Sequence, residues 1–83
     1  MADFNSVILL GRVTRDVEVR YIPSGTAVAD IGFVTNRRVK KGDQYVEEPM
    51  FIDVTVWART AEVAGEYLTK GKQILVNGEL CMD

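Results

Sequence analysis

"FIDVTVWARTAEVAGEYLTKG", residues 51–71, changes period in its middle. Ile52, Val54 and Val56 alternate as one face of a half-buried strand does. From Thr60 onward, Val63, Ala64, Tyr67 and Leu68 fall at i, i+1, i+4 and i+5, one stripe of a helix. Thr60 is the predicted N-cap, and Glu62 suits the positive helix end. Lys70 and Gly71 suit the C-terminal end. A helix over about 60–70 is too short to stand alone and must cap something. The strand itself carries an oddity. Phe51 and Trp57, the sole tryptophan, sit on the other parity, beside Asp53 and Thr55.

Upstream the pattern is mostly strand. "NSVILLGRV" (5–13) is rich in branched residues and is interrupted by Gly11, the mark of a bulge or sharp bend. "VEVRYI" (17–22) and "TAVADIGFVTN" (26–36) flank the turn "PSG" (23–25). In the second of these, Ala29, Ile31 and Phe33 make an apolar face, while Asp30, Gly32, Val34 and Asn36 make the other. "RRVKKGDQYVEEP" (37–49) reads as a long polar hairpin loop with a mobile tip. "KQILVNGELCM" (72–82) opens a strand after the helix. Counted as three strands, a helix and a fourth strand, this predicts a mainly β fold. The expected form is a small bent barrel plugged by one helix, as in the oligonucleotide-binding (OB) fold, a five-stranded Greek-key barrel. From pattern alone an α+β sandwich remains open.

The totals narrow the function classes. Eighty-three residues predict one domain, marginal in stability by its size, for which oligomerisation is a common remedy. With one cysteine (Cys81) and no histidine, neither an internal disulfide nor an ordinary zinc site is expected. The longest apolar run is Val7–Leu10, far short of a membrane span, and "MADFNS" has no basic signal-peptide region. A soluble, intracellular chain is the default expectation. The net charge of −2 is weakly unfavourable to nucleic acid, yet "RRVKK" (37–41) concentrates four cations in five residues. Such a run is either a phosphate-binding patch or a solvated loop. Catalysis is not expected. No acid–base pair is apparent, Cys81 has no base beside it, and Glu47 and Glu48 would point apart on a strand.

In order and spacing from Phe4 to Leu80, "NSVILLGRVTRDVEVRYIPSGTAVADIGFVTNRR" and "FIDVTVWARTAEVAGEYLTKGKQILVNGEL" resemble the bacterial single-stranded DNA-binding protein family. The resemblance implies one OB-fold domain over 1–83 that binds single-stranded DNA without sequence preference, in replication, recombination and repair, with no cofactor. It also implies a cytoplasmic, nucleoid-associated location. In that family, aromatics on the sheet face and hairpins stack on bases, and Phe51 and Trp57 match two such positions. Every base has a π-face, so an exposed ring accepts any base, at about 1–3 kcal/mol per stack. The alternative is that these two rings cover the helix or a loop.

Arg37, Arg38, Lys40 and Lys41 would line the flanking hairpin and follow the phosphates. Arg59, Lys70 and Lys72 are further candidates, unless they are simply solvated or serve the helix C-terminus. The resemblance implies a homo-oligomer, a tetramer first and a dimer second, paired through Asn5, Ser6, Val7, Ile8, Leu9 and Leu10. Three departures stand out. Val39 replaces a frequent aromatic, Asp30 replaces a neutral residue near phosphates, and the chain stops at "ELCMD". The last predicts a C-terminally truncated domain without its fifth strand, and without the acidic tail that recruits replication and repair proteins. The rival readings are an OB-fold primosomal or accessory subunit acting through protein contacts and, more weakly, an RNA-binding OB domain.

Overall fold

The computed structural model describes residues 3–82. Met1, Ala2 and Asp83 of the predicted 1–83 domain lie outside the described residues. The order of elements is β1 (Val7–Val13), β2 (Glu18–Tyr21), β3 (Ala27–Lys41), β4 (Gln44–Trp57), α1 (Ala58–Tyr67) and β5 (Gln73–Gly78). All pairings are antiparallel. β3 is the spine. It pairs with β2 through Glu18↔Asp30 to Tyr21↔Ala27 and with β1 at Arg12↔Val34 and Val13↔Phe33. It pairs with β4 from Val28↔Trp57 to Lys41↔Gln44. β1 carries β5, from Val7↔Gly78 to Arg12↔Gln73.

All five strands are present, so the predicted missing fifth strand is wrong. Counting three strands before the helix was one too few, because a bend at residues 14–17 separates β1 from β2, and the hairpin supplies two more. Among the described residues no ladder joins β5 to β2 or β4. The sheet is therefore an open, curled half-barrel of OB type rather than a closed Greek-key barrel. The predicted 37–49 loop is also wrong. The ladder runs to Lys41↔Gln44, and only Gly42 and Asp43 form the turn. Gly42 takes φ 64°, a left-handed conformation that glycine adopts without a Cβ clash. The polar arm forms strands because opposite charges face one another, as in Arg37↔Glu48 and Arg38↔Glu47. The arm projects from the body. The radius of gyration is 15.2 Å, against about 12 Å for a compact chain of this length.

The core lies on one face of β3 and β4. Ala29↔Val56, Ile31↔Val54 and Phe33↔Ile52 are direct cross-strand pairs, and Ala29, Ile31 and Phe33 are buried as their alternation predicts. The helix covers this face, but of the predicted stripe only Ala64 and Leu68, the residue after the helix, reach the core. It begins at Ala58 rather than Thr60, with Trp57 at the N-cap making no side-chain cap bond, and ends at Tyr67. Ala61 and Ala64 are buried, whereas Val63 and Tyr67 are exposed. Small residues win because they let the helix approach closely. Ala61 packs with Ala27 and Ala29, and Ala64 with Val13 and Ile31. A Cβ on Gly65 would collide with Cγ2 of Val19.

Candidate nucleic-acid interface

The opposite face of β3 and β4 is organised in rows set by the register. Arg20, Val28 and Trp57 form one row; Glu18, Asp30 and Thr55 form the next. Gly32↔Asp53 follows, then Arg12, Val34 and Phe51. Phe51 is 71% exposed and Trp57 is 56% exposed. Both rings stand away from the helix-covered core, so covering the helix does not account for them. They lie six residues apart on one strand face, about 20 Å at ~3.4 Å per residue. Val28, flanked in its row by Arg20 and Trp57, is buried.

Between the two rings the face is polar. Arg20 Nη1 donates to Asp30 Oδ2 at 2.9 Å, and Thr55 Oγ1 donates to Asp30 Oδ1 at 2.8 Å. The hydrogen bond from Thr55, then that from Arg20, holds the Asp30 carboxyl below the usual carboxylate range, against a smaller opposing effect of burial. Asp30 is thus a neutralised charge rather than a bare one facing phosphates. Arg15 Nη2 reaches Asp53 Oδ1 at 3.4 Å across Gly32, where a Cβ would strike the Arg15 guanidinium and Thr14. A notch of about 120 Å³ sits here, lined by Thr14, Arg15, Gly32, Phe33, Phe51, Ile52 and Asp53.

The basic run divides by parity. Arg38 and Lys40 share the parity of Phe51 and Trp57, opposite Glu47 and Tyr45. Arg37 and Lys41 have the other parity and share one carboxylate: Arg37 Nη2 is 3.8 Å and Lys41 Nζ 3.3 Å from Glu48. Arg38 and Lys40 form no ion pair among the described residues. Three other predicted cations are not brought into the rows. Arg59 is the exposed second residue of α1. Lys72 Nζ donates to the carbonyl of Tyr67 at 3.2 Å, serving the helix C-terminus. Lys70 is held through its backbone N–H by Asp16 Oδ1 at 2.9 Å.

Arg12, Arg15 and Arg20 went unremarked in the sequence reading, although they punctuate "GRVTRDVEVRY". Tyr45 was also missed. Period-2 counting backward from Trp57 through Phe51 reaches it directly, but the polar composition of residues 37–49 has the signature of a loop and hides that period.

The residues expected to pair between subunits are also partly engaged. Asn5 and Ser6 precede β1. Asn5 Nδ2 donates to the Leu80 carbonyl at 2.8 Å, and the Leu80 N–H donates to Asn5 Oδ1 at 3.0 Å. From Val7 to Leu10, β5 occupies one edge of β1, while β3 reaches only Arg12 and Val13 on the other. Ile8, Leu10 and Leu75 are exposed, with Leu10 directly opposite Leu75.

An open OB-type sheet with exposed rings and cations on its uncovered face defines a β-domain of the oligonucleotide-binding class. The model of the single-strand binding protein family matches residues 4–83, and the chain belongs to that family. It is 53% identical over 81 residues to a single-stranded DNA-binding protein of Wolinella succinogenes, covering 96% of this chain and 50% of that one. To the corresponding protein of Treponema pallidum it is 50% identical over 80 residues, covering 96% and 46%. The chain thus spans about half the length of the curated relatives it matches. A crystal structure of a deletion mutant of the single-stranded DNA binding protein from Thermus aquaticus superposes with TM-score 0.85 at 32% identity, covering 92% of this chain and 38% of that one. Among the described residues no helix is long and apolar enough to cross a membrane.

Proposed function

We propose that residues 1–83 act as one domain that binds and protects single-stranded DNA without sequence preference, in replication, recombination and repair. The observation that carries this reading is the pair Phe51 and Trp57, two exposed rings on the uncovered face of one strand. Bases stack on the rings, and Arg38 and Lys40, which have no carboxylate partner among the described residues, attract phosphates. Arg12 stands in the Phe51 row and is a third cation of that face, after Arg38 and Lys40, with no ion pair among the described residues. Arg37 and Lys41 contribute less, because Glu48 already holds them. Arg59, Lys70 and Lys72 act at the margin of the path. Stacking carries no base-edge code, so sequence is not read.

The domain acts as a homo-oligomer, a tetramer or a dimer, through the β1 edge at Val7–Leu10, which has no strand partner on the β3 side among the described residues and whose Leu10 carbonyl accepts from Thr35 Oγ1 at 2.8 Å, and through the exposed Ile8 and Leu10, supported by Leu75. Replication and repair proteins are the partners of the assembled protein, through a C-terminal tail beyond these residues. Its place is the cytoplasm, at the nucleoid.

Titration with oligo-dT, read by Trp57 emission, tests the reading. Strong saturable quenching is expected, with far less for duplex DNA of equal length. An unchanged spectrum at saturating DNA places Trp57 away from the site. Absence of any salt-sensitive binding favours an accessory subunit that works through protein contacts.

A further inference from the structure

Tyr45, Phe51 and Trp57 fall at equal six-residue intervals on one parity of β4. At ~3.4 Å per residue the three rings mark a line about 40 Å long. Tyr45 is 61% exposed, comparable with the other two. It stands on the projecting arm, beyond the reach of the helix-covered core, so burial does not explain an aromatic there. Its surroundings are also unlike those of a solvated loop tip. The Arg38 guanidinium carbon lies 4.8 Å from the ring centroid, within the range of a cation–π contact. Arg38 faces Glu47 across the ladder yet forms no ion pair with it. Lys40, directly opposite Tyr45, is likewise without a carboxylate partner among the described residues. Val39, by contrast, pairs with Val46 on the other parity.

We propose that Tyr45 is a third base-stacking platform, held by Arg38 and flanked by Lys40, that extends the single-strand path onto the β3–β4 arm. The proposal rests on the reading of Phe51 and Trp57 as a single-strand site. Arg38 lies over one side of the ring, and the exposure of Tyr45 gives a base access to the other. A planar ring that is already ordered loses little freedom when a base stacks on it. The two cations stand where the phosphates on either side of that base would pass.

The test is a series of oligo-dT lengths titrated against wild type, Tyr45→Ala, Tyr45→Leu and Tyr45→Phe, all read by Trp57 quenching. In wild type, affinity should step upward once the strand is long enough to reach from Trp57 to the arm. Tyr45→Ala and Tyr45→Leu should lower affinity for those longer strands by about 5- to 150-fold, the equivalent of one lost stack. Strands short enough to be held by Phe51 and Trp57 alone should bind both variants as they bind wild type. Tyr45→Phe should keep the step, since it keeps the π-face. Wild-type affinity for long strands in Tyr45→Leu would overturn the proposal. So would an equal loss at every length, which would mean that the ring only shapes the hairpin. Normal quenching with no effect of Tyr45 rejects this platform alone, whereas no quenching of wild type at any length rejects the underlying site as well.

Discussion

Arg20 reaches across from β2 to Asp30 on β3, with Nη1 2.9 Å from Oδ2, in the middle of the face that carries Phe51 and Trp57. The pair sets the charge of that face. Asp30 is held ionised by Thr55 and Arg20, and Arg20 is correspondingly occupied.

Replacing Asp30 by Asn should therefore release Arg20 toward phosphate. Affinity for oligo-dT should rise, and the slope of log K against log salt should steepen by about 0.7 for one added phosphate contact. A fluorescence titration at several salt concentrations checks this. Unchanged slope and affinity would mean that Arg20 stays off the DNA path.

The same carboxylate predicts an acid dependence of stability. Its folded pKa lies below its ordinary 3.8, so its contribution is present above the unfolded value and is lost as pH falls through the folded one. Both side chains are substantially exposed, which limits the contribution to about 0.2–1 kcal/mol. Thermal melts of wild type and Thr55→Ala should differ most near neutral pH, and the difference should shrink as Asp30 protonates. A difference that does not vary with pH would assign the effect of Thr55 to packing.

Phe51→Ala should weaken DNA binding by about 1–3 kcal/mol while leaving thermal stability nearly unchanged. Ile31→Ala, at a buried core position, should cost about 2–5 kcal/mol of stability. Unfolding by Phe51→Ala with normal binding by the folded fraction would reverse the assignment of faces.

Salt dependence should separate the two halves of the basic run. Arg38→Gln with Lys40→Gln should flatten the salt slope by up to about 1.4 units, two phosphate contacts at ~0.7 each. Arg37→Gln with Lys41→Gln should do less, because Glu48 already neutralises part of that charge. Equal effects from both pairs would show that the carboxylate releases its partners on binding.

Gly65→Ala should destabilise the fold by about 1–3 kcal/mol through overpacking against Val19, outweighing the helix-propensity gain of ~1 kcal/mol. Adding Val19→Ala should recover part of the loss, a coupling that a double-mutant cycle in urea measures.

The alternation of Ile52, Val54 and Val56 against Phe51 and Trp57 is a local property of an extended chain, because successive side chains leave a strand on opposite sides. It was legible without any partner strand. The change of period after the strand was legible for the same reason, and the turn at Pro23–Gly25 because proline presets φ and glycine accepts the positive φ of 89° that Gly25 takes. What stands across from each residue was not. Register decides it, and register depends on where the turn falls. With the turn confined to Gly42 and Asp43, Arg37 and Lys41 meet Glu48, Arg38 meets the Tyr45 ring, and a run of four equivalent cations becomes two pairs with different surroundings. The face the helix buries was likewise a tertiary outcome. Close approach to Ala27 and Ala29 selected Ala61, to Val13 and Ile31 selected Ala64, and to Val19 selected Gly65, over the larger Val63 and Tyr67. Arg12, Arg15 and Arg20 are visible in the sequence, but only the antiparallel pairing of β1 and β2 with β3 brings Arg12 and Arg20 into the rows of Phe51 and Trp57.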